Sequence, residues 1–340
     1  MRQYLSDLCA LPGVSGFEDA VAAYIRAHAA PYADEALEDP AGNLMFLRRG
    51  TGHGKRLMLC AHMDETGLIV THICPDGLLK FAPVGGFPSR IIPGLQVRVG
   101  DAQIPGVVIL KPIHLTSSKE RAAVPPLQQL RIDLGARSRE EAEKLTFPGD
   151  FAVFNTKIRD FGENCLAARA LDSRIGCAVL LELIKTQRKF DVCYVFSVQR
   201  QIGSGIQSAV HRLAPDFALV FDAAEAGGLP GSMQSNGARL GKGVALPAMN
   251  GKSCAAPALM ETARRAARSG AIPLQAIAQA DGGDAEKIAA AVQGVPTLSL
   301  RVAVRYPRCA HSIVHTDDMQ NLLRLAENLL AEAGDTVFCL

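Results

Sequence analysis

The chain has 340 residues, 48% of them hydrophobic and 21% charged, with a formal net charge of +2. That balance suits a globular protein with a substantial core and argues against a partner recognised through bulk charge, so neither nucleic acid nor a membrane surface is expected. No apolar run approaches the roughly 20 residues of a membrane span, and Met1-Arg2-Gln3-Tyr4 opens no signal-peptide core, which points to a cytoplasmic protein. Nine cysteines are scattered singly without a C-x-x-C pair, and Cys60, Cys177 and Cys193 lie in apolar runs as packed thiols.

In chain order, Gly16-Phe17-Glu18-Asp19 opens an amphipathic helix with Val21, Tyr24, Ile25 and His28 at helical spacing, Ser15 as its cap and Glu18 closing a capping box. A turn over 39–43 precedes the strand Leu44-Met45-Phe46-Leu47. The run Arg56-Leu57-Met58-Leu59-Cys60-Ala61 reads as a strand buried on both faces, and it delivers His62, Asp64 and Glu65 at its carboxyl end. Two residues apart on extended backbone, His62 and Asp64 point the same way and suit a divalent metal such as zinc. A strand end with hydrogen-bonded polar groups accounts for the stretch equally well on this evidence alone. Leu68 to Ile73 and the turn signal Asp76-Gly77 form a hairpin.

From 74 to 165 short β-like runs (96–99, 106–110, 151–154) alternate with Gly and Pro turns, the texture of a small all-β unit inserted in a larger α/β domain. Ser138 caps the one helix there. Beyond 166 helix and strand alternate again. A turn carries Asp172 ahead of a helix over 178–184, the strands 192–198 and 217–221 follow, and the second ends at Asp222. A helix over 255–269, a strand over 297–302 and a last helix from near Asp318 complete the chain. Asp64, Asp172 and Asp222 thus converge at neighbouring strand ends, where His62, Asp172 and Asp222 together form a set able to hold one metal.

Gly13-Val14-Ser15-Gly16-Phe17-Glu18, Asp39-Pro40-Ala41-Gly42-Asn43, Ala61-His62-Met63-Asp64-Glu65, Val84-Gly85-Gly86-Phe87, Ile132-Asp133-Leu134-Gly135-Ala136, Ala170-Leu171-Asp172-Ser173-Arg174, Leu240-Gly241-Lys242-Gly243 and Arg305-Tyr306 occur in one order along nearly the whole chain. In this the sequence resembles the M42 family of metallo-aminopeptidases, of the glutamyl and deblocking aminopeptidase types. The resemblance implies a zinc-peptidase-like three-layer α/β domain with a mixed sheet, here 1–73 and 166–340, interrupted by a β-barrel-like domain at 74–165. It also implies homo-oligomers as large as tetrahedral dodecamers, with peptides or amino acids as ligands. In working members a bridging Asp, here Asp172, holds two metal ions. One ion also takes His62 and Asp222; the other takes the second Glu of a Glu-Glu pair and a His after Arg-Tyr, and the first Glu is the general base. Asp64 is placed among the catalytic residues.

This chain departs from that pattern. The Glu-Glu pair is Arg200-Gln201, and Arg308 stands where the second ligating His belongs. A guanidinium cannot accept a proton from water, and an amide oxygen is a poor replacement for a carboxylate on zinc. His311 in Cys309-Ala310-His311-Ser312 is a shifted ligand if the loop bulges, and Glu225 is the substitute base to test. The family's Gly-Gly-Thr-Asp appears as Gly282-Gly283-Asp284, and its Asp-Thr-Pro is replaced near Gly228-Leu229-Pro230. The expectation is a catalytically impaired or inactive relative carrying at most one zinc or cobalt ion, with Arg200 and Arg308 standing in for the missing cation. The alternatives are an active single-metal exopeptidase and a non-catalytic subunit of an aminopeptidase assembly. Cys254 and Cys309 are read as inert thiols, His114 as structural or interfacial, His315 as a solvated loop residue, and Arg305 and Tyr306 as supporting the site.

Overall fold

The computed structural model describes residues 1–52, 55–203, 205–227, 237–291 and 294–332; Gly228-Leu229-Pro230 lies outside the described residues. The strands are β1 Glu35–Glu38, β2 Leu44–Arg48, β3 Leu57–His62, β4 Gly67–Ile73, β5 Leu79–Val84, β6 Gln96–Val99, β7 Ile104–Ile109, β8 Arg131–Asp133, β9 Phe151–Phe154, β10 Arg159–Asp160, β11 Cys165–Ala168, β12 Val192–Ser197, β13 Phe217–Glu225, β14 Val244–Asn250, β15 Ser253–Cys254, β16 Leu274–Ala280, β17 Thr297–Arg305 and β18 Ser312–His315. The α-helices are α1 Arg2–Ala10, α2 Asp19–Ala29, α3 Ser118–Ala122, α4 Arg139–Ala142, α5 Leu171–Leu183, α6 Ile206–Leu213, α7 Pro257–Ser269, α8 Gly283–Ala289 and α9 Thr316–Glu332.

Two sheets organise these elements. A mixed twelve-stranded sheet runs β1-β2-β12-β3-β13-β17-β18-β11-β10, with β14, β15 and β16 branching from β17. Its centre, β12, β3, β13 and β17, is parallel, the pairs on either side along this path are antiparallel, and in the branch β14 and β16 are parallel. The second sheet, β4-β5-β8-β7-β6-β9, closes into a barrel around Leu68, Val97, Val108 and Ile132. The fold is therefore α/β with a β-barrel carried between two parts of the large sheet, as the sequence pattern and its resemblance led us to expect.

Alternation explains the layers. In β3, Leu57, Leu59 and Ala61 pack with α5 residues such as Ile175 and Val179. Met58 and Cys60, on the opposite face, pack with Ile206, Ala209 and Val210 of α6. All six β3 residues are buried because helices cover both faces, the setting of a parallel central strand. The same period-2 rule puts His62, Ser197, Asp222 and Arg301 on the α6/α8 face, since each stands an even number of residues from an inward residue on that side.

Several local expectations differ from the structure. Ser15 does not cap α2: the helix begins at Asp19 with Glu18 at its N-cap and no side-chain cap bond, while Ser15 Oγ donates to Asp64 instead. Asp172 is not in a preceding turn but is the second residue of α5, which starts directly after Ala170 in the left-handed region at φ 56°. Asp222 does not end its strand, because β13 continues to Glu225, held along that length by β17. His315 closes β18 rather than lying in a loop.

Candidate functional site

The site opens where two parallel strands part. β13 pairs with β3 only from Phe217↔Leu57 to Val220↔Cys60, although both strands continue beyond that point. His62 and Asp222 then face each other across the gap, with His62 Nε2 3.8 Å from Asp222 Oδ1. Crevices of this kind outside strand carboxyl ends are the usual ligand sites of open α/β sheets. A cavity of about 790 Å3 fills the crevice, and Asp172, Arg200, Asp222, Glu225, Asp281 and Arg308 all reach its wall.

The left side is a held loop. After β12 the chain turns through Gln199 at φ 56°. Its amides are tied down in succession: Val198 N–H donates to Asn43 Oδ1 at 3.1 Å, Gln199 N–H to Glu18 Oε1 at 3.0 Å, and Gln201 N–H to Asp64 Oδ2 at 2.9 Å. This fixes the directions of Arg200 and Gln201. The Arg200 side chain is 6% exposed and its Nη2 donates to Asp222 Oδ2 at 3.1 Å and to Asp281 Oδ2 at 2.6 Å. Gln201 Nε2 donates to Asp172 Oδ2 at 3.0 Å. Gly283 gives Arg200 its room: at φ +51°, a Cβ there would lie 2.8 Å from Arg200 Nη2.

The right side comes from β17 and the loop after it. Arg301, fully buried, donates from Nε to Ser299 Oγ at 2.9 Å, from Nη1 to Ala223 O at 2.9 Å and to the Asp281 carboxylate, and from Nη2 to Asp281 O at 2.6 Å. It also stands 3.6 Å from Asp222 Oδ2. Arg308, in the left-handed region at φ 61°, donates from Nη2 to Asp281 Oδ2 at 2.8 Å. The charge cluster therefore has an anchor that sequence reasoning missed. Arg308 reaches Asp281 and makes no ion pair with Asp64, Asp172 or Asp222, while Arg200 and Arg301 both bridge Asp222 to Asp281.

Buried electrostatics follow these contacts. Burial would raise the Asp222 carboxyl, but Arg200, Arg301 and His62 hold it well below the usual carboxylate range. Asp172 lacks an arginine in contact, and burial raises it against the pull of His62 and Arg200. His62 is pushed up to about 10: burial opposes its charge, and the Asp222 and Asp64 carboxylates beside its ring outweigh that. Asp64 is lowered despite burial by His62, Ser15 and the Gln201 amide. Glu65 belongs to the scaffold rather than the cavity, pairing the buried Arg169 at 2.6 Å and Arg174 at 3.3 Å.

The remaining sequence candidates separate. His311 is exposed, with its imidazole lowered by burial and by Arg159, and it is not part of the cavity wall. Cys309 is half-buried and its thiol is pushed up to about 11 by burial and the charges of Asp172 and Glu225, whereas Cys254 is exposed. Glu225 is exposed at the cavity wall.

A dinuclear centre needs donors that these residues no longer offer. His62 Nε2 is buried and, among the described residues, has no hydrogen-bond partner, but the carboxylates beside it favour the protonated ring, which offers a metal no lone pair. Asp222 is engaged by Arg200, Asp172 receives an N–H from Gln201, and Arg308 presents a cation. Among the described residues no group of three or more His, Cys, Asp or Glu is arranged to hold a metal ion. The residues do not fit a pair of ions.

The mixed sheet with its closed barrel is the architecture of solved TET aminopeptidases, such as that of the marine sediment archaeon Thaumarchaeota archaeon SCGC AB-539-E09, with a TM-score of 0.92 at 29% identity over 97% and 95% of the two chains. The family model described as M42 glutamyl aminopeptidase matches residues 42–325, and the chain belongs to that family. It is 30% identical to the lysyl aminopeptidase of Pyrococcus furiosus over 335 residues, covering 94% of each chain. The structure superposes on an aminopeptidase of Desulfurococcus kamchatkensis with a TM-score of 0.93 at 31% identity, covering 99% and 97% of the two chains. The TET1 peptidase of Pyrococcus horikoshii, which can assemble into a tetrahedron or a large octahedral shell, aligns with a TM-score of 0.87 at 29% identity over 97% and 98%.

Proposed function

We propose that this chain is a catalytically impaired or inactive M42 aminopeptidase, a pseudoenzyme that keeps the fold and the substrate cleft. The observation that carries this is the double anchoring of Arg200 by Asp222 and Asp281 at the position of the general base. A guanidinium held in two ion pairs cannot take a proton from water, and loss of a general base alone costs roughly 10²–10⁴ in rate. The site residues divide accordingly: His62, Asp172 and Asp222 keep the positions of one metal site, Gln201 and Arg308 occupy spoiled ligand positions, and Asp64 orients His62. At most one zinc or cobalt ion per chain is bound, in the cytoplasm. The chain forms a homo-oligomer, the dodecamer being supported by the shells of its relatives.

Incubation of the purified protein with zinc, cobalt or manganese and short peptides bearing a free amino terminus tests the reading. No release of the first residue is expected from the unaltered protein, and Arg200→Glu with Gln201→Glu should raise activity. Brisk turnover by the unaltered protein overturns it.

A further inference from the structure

The crevice carries cations in excess of the carboxylates that engage them. Three guanidinium groups, from Arg200, Arg301 and Arg308, meet two carboxylates, Asp222 and Asp281. Arg301 is fully buried and engaged along its whole head group by Ser299, Ala223, Asn250 and Asp281. Arg308 is in a different state. One of its nitrogens reaches Asp281 Oδ2, its side chain is 36% exposed, and it forms part of the cavity wall. Arg200 stands beside it with a buried Nε that has no acceptor among the described residues. Because both guanidiniums share the single oxygen Asp281 Oδ2, at 2.6 and 2.8 Å, their positive charge is concentrated at one point. The same cavity also holds two carboxylates that no arginine touches, Asp172 and Glu225. A cavity whose wall carries both arginines and carboxylates that none of these arginines pairs is matched by a ligand carrying both charges.

We infer that the crevice binds a small α-amino-acid zwitterion, with its carboxylate on Arg308 beside Arg200 and its ammonium toward Asp172 and Glu225. The inference deepens the proposed function and rests on it, since it needs Arg200 and Arg308 as fixed cations where a working site would have a base and a ligand. Arginine suits the role because its planar fork matches a carboxylate with two parallel hydrogen bonds, and Arg308 retains N–H groups for them. The volume of about 790 Å3 accommodates such a ligand with space at the open side.

Isothermal titration of the full-length protein with leucine, lysine and glutamate, each paired with its amino alcohol, tests the inference. At least one of the three amino acids should bind, and its alcohol, lacking the carboxylate, should bind at least about tenfold more weakly, the loss of a charge-assisted contact. Arg308→Met should lose affinity for the amino acid by a similar factor while keeping the denaturation midpoint of the unaltered protein. Equal binding of acid and alcohol overturns the inference, as does a folded Arg308→Met protein with full affinity, or no binding by any of the three. Leucinamide separates the two readings. Its hydrolysis by the unaltered protein defeats the proposed function, whereas lost carboxylate discrimination in a protein that hydrolyses nothing defeats only the present inference.

Discussion

Replacing Arg200 with methionine keeps an unbranched apolar stem and removes the charged head group. Asp222, 6% exposed, then loses its nearest cation, and Asp281 loses one of three. Removing one partner of a buried ion pair typically costs about 3–5 kcal/mol, because the other charge is left without compensation. Here Arg301 at 3.6 Å and His62 at 3.8 Å remain beside Asp222, so a loss at the lower end of that range, about 3 kcal/mol, is expected. Urea unfolding at fixed protein concentration should show a lower midpoint with an unchanged slope. The variant also frees Asp222 beside the unpartnered Nε2 of His62, so zinc should now bind the folded state. At one hundred times its dissociation constant the ion would restore about 2.7 kcal/mol to the variant and add nothing comparable to the parent. A variant as stable as the parent, or zinc stabilising the parent by the same amount, would refute the idea that Arg200 replaces a metal ion.

Three further outcomes follow from single contacts. Gly283→Ala forces a β-carbon within 2.8 Å of Arg200 Nη2 at φ +51°, and should cost about 1–3 kcal/mol in denaturant midpoint, part of which Arg200→Met relieves in the double variant. Glu65→Gln leaves the buried Arg169 and Arg174 with a neutral partner and should destabilise by about 3 kcal/mol or more, read by thermal unfolding. Burial raises Glu18 from 4.5 to about 7, so between these values the folded state keeps a proton that the unfolded chain has lost. Its contribution is complete below about pH 4.5, falls as pH rises and is constant above about 7, a loss of at most about 3 kcal/mol. Stability of Glu18→Gln relative to the parent should rise by that amount across the same window, and a flat difference would show that burial does not shift Glu18.

Much of this arrangement was legible in the chain. The apolar run of β3 followed by His62 and Asp64 gives away a buried strand with polar groups at its carboxyl end, and Arg200, Gln201 and Arg308 stand out against the motifs around them. What escaped depended on partners distant in sequence. Ser15 looked like a helix cap because the offset to Glu18 permits one, but Asp64 offers its hydroxyl a buried acceptor. Asp222 looked like a strand end because it follows the apolar run 217–221, while β17 carries β13 three residues further. Arg301 had left a readable signal, a charge in the middle of the largely apolar β17. Asp281 gave almost none, since an acidic residue before two glycines is what an ordinary turn contains, and only the folded chain brings three arginines to it.

The most direct test is diffraction at the zinc edge from crystals of the unaltered protein soaked in zinc. The expected map has Arg200 seated between Asp222 and Asp281, with no pair of anomalous peaks in the crevice. Two peaks between His62 and Gln201, with the Arg200 side chain turned away, would contradict the reading at its centre.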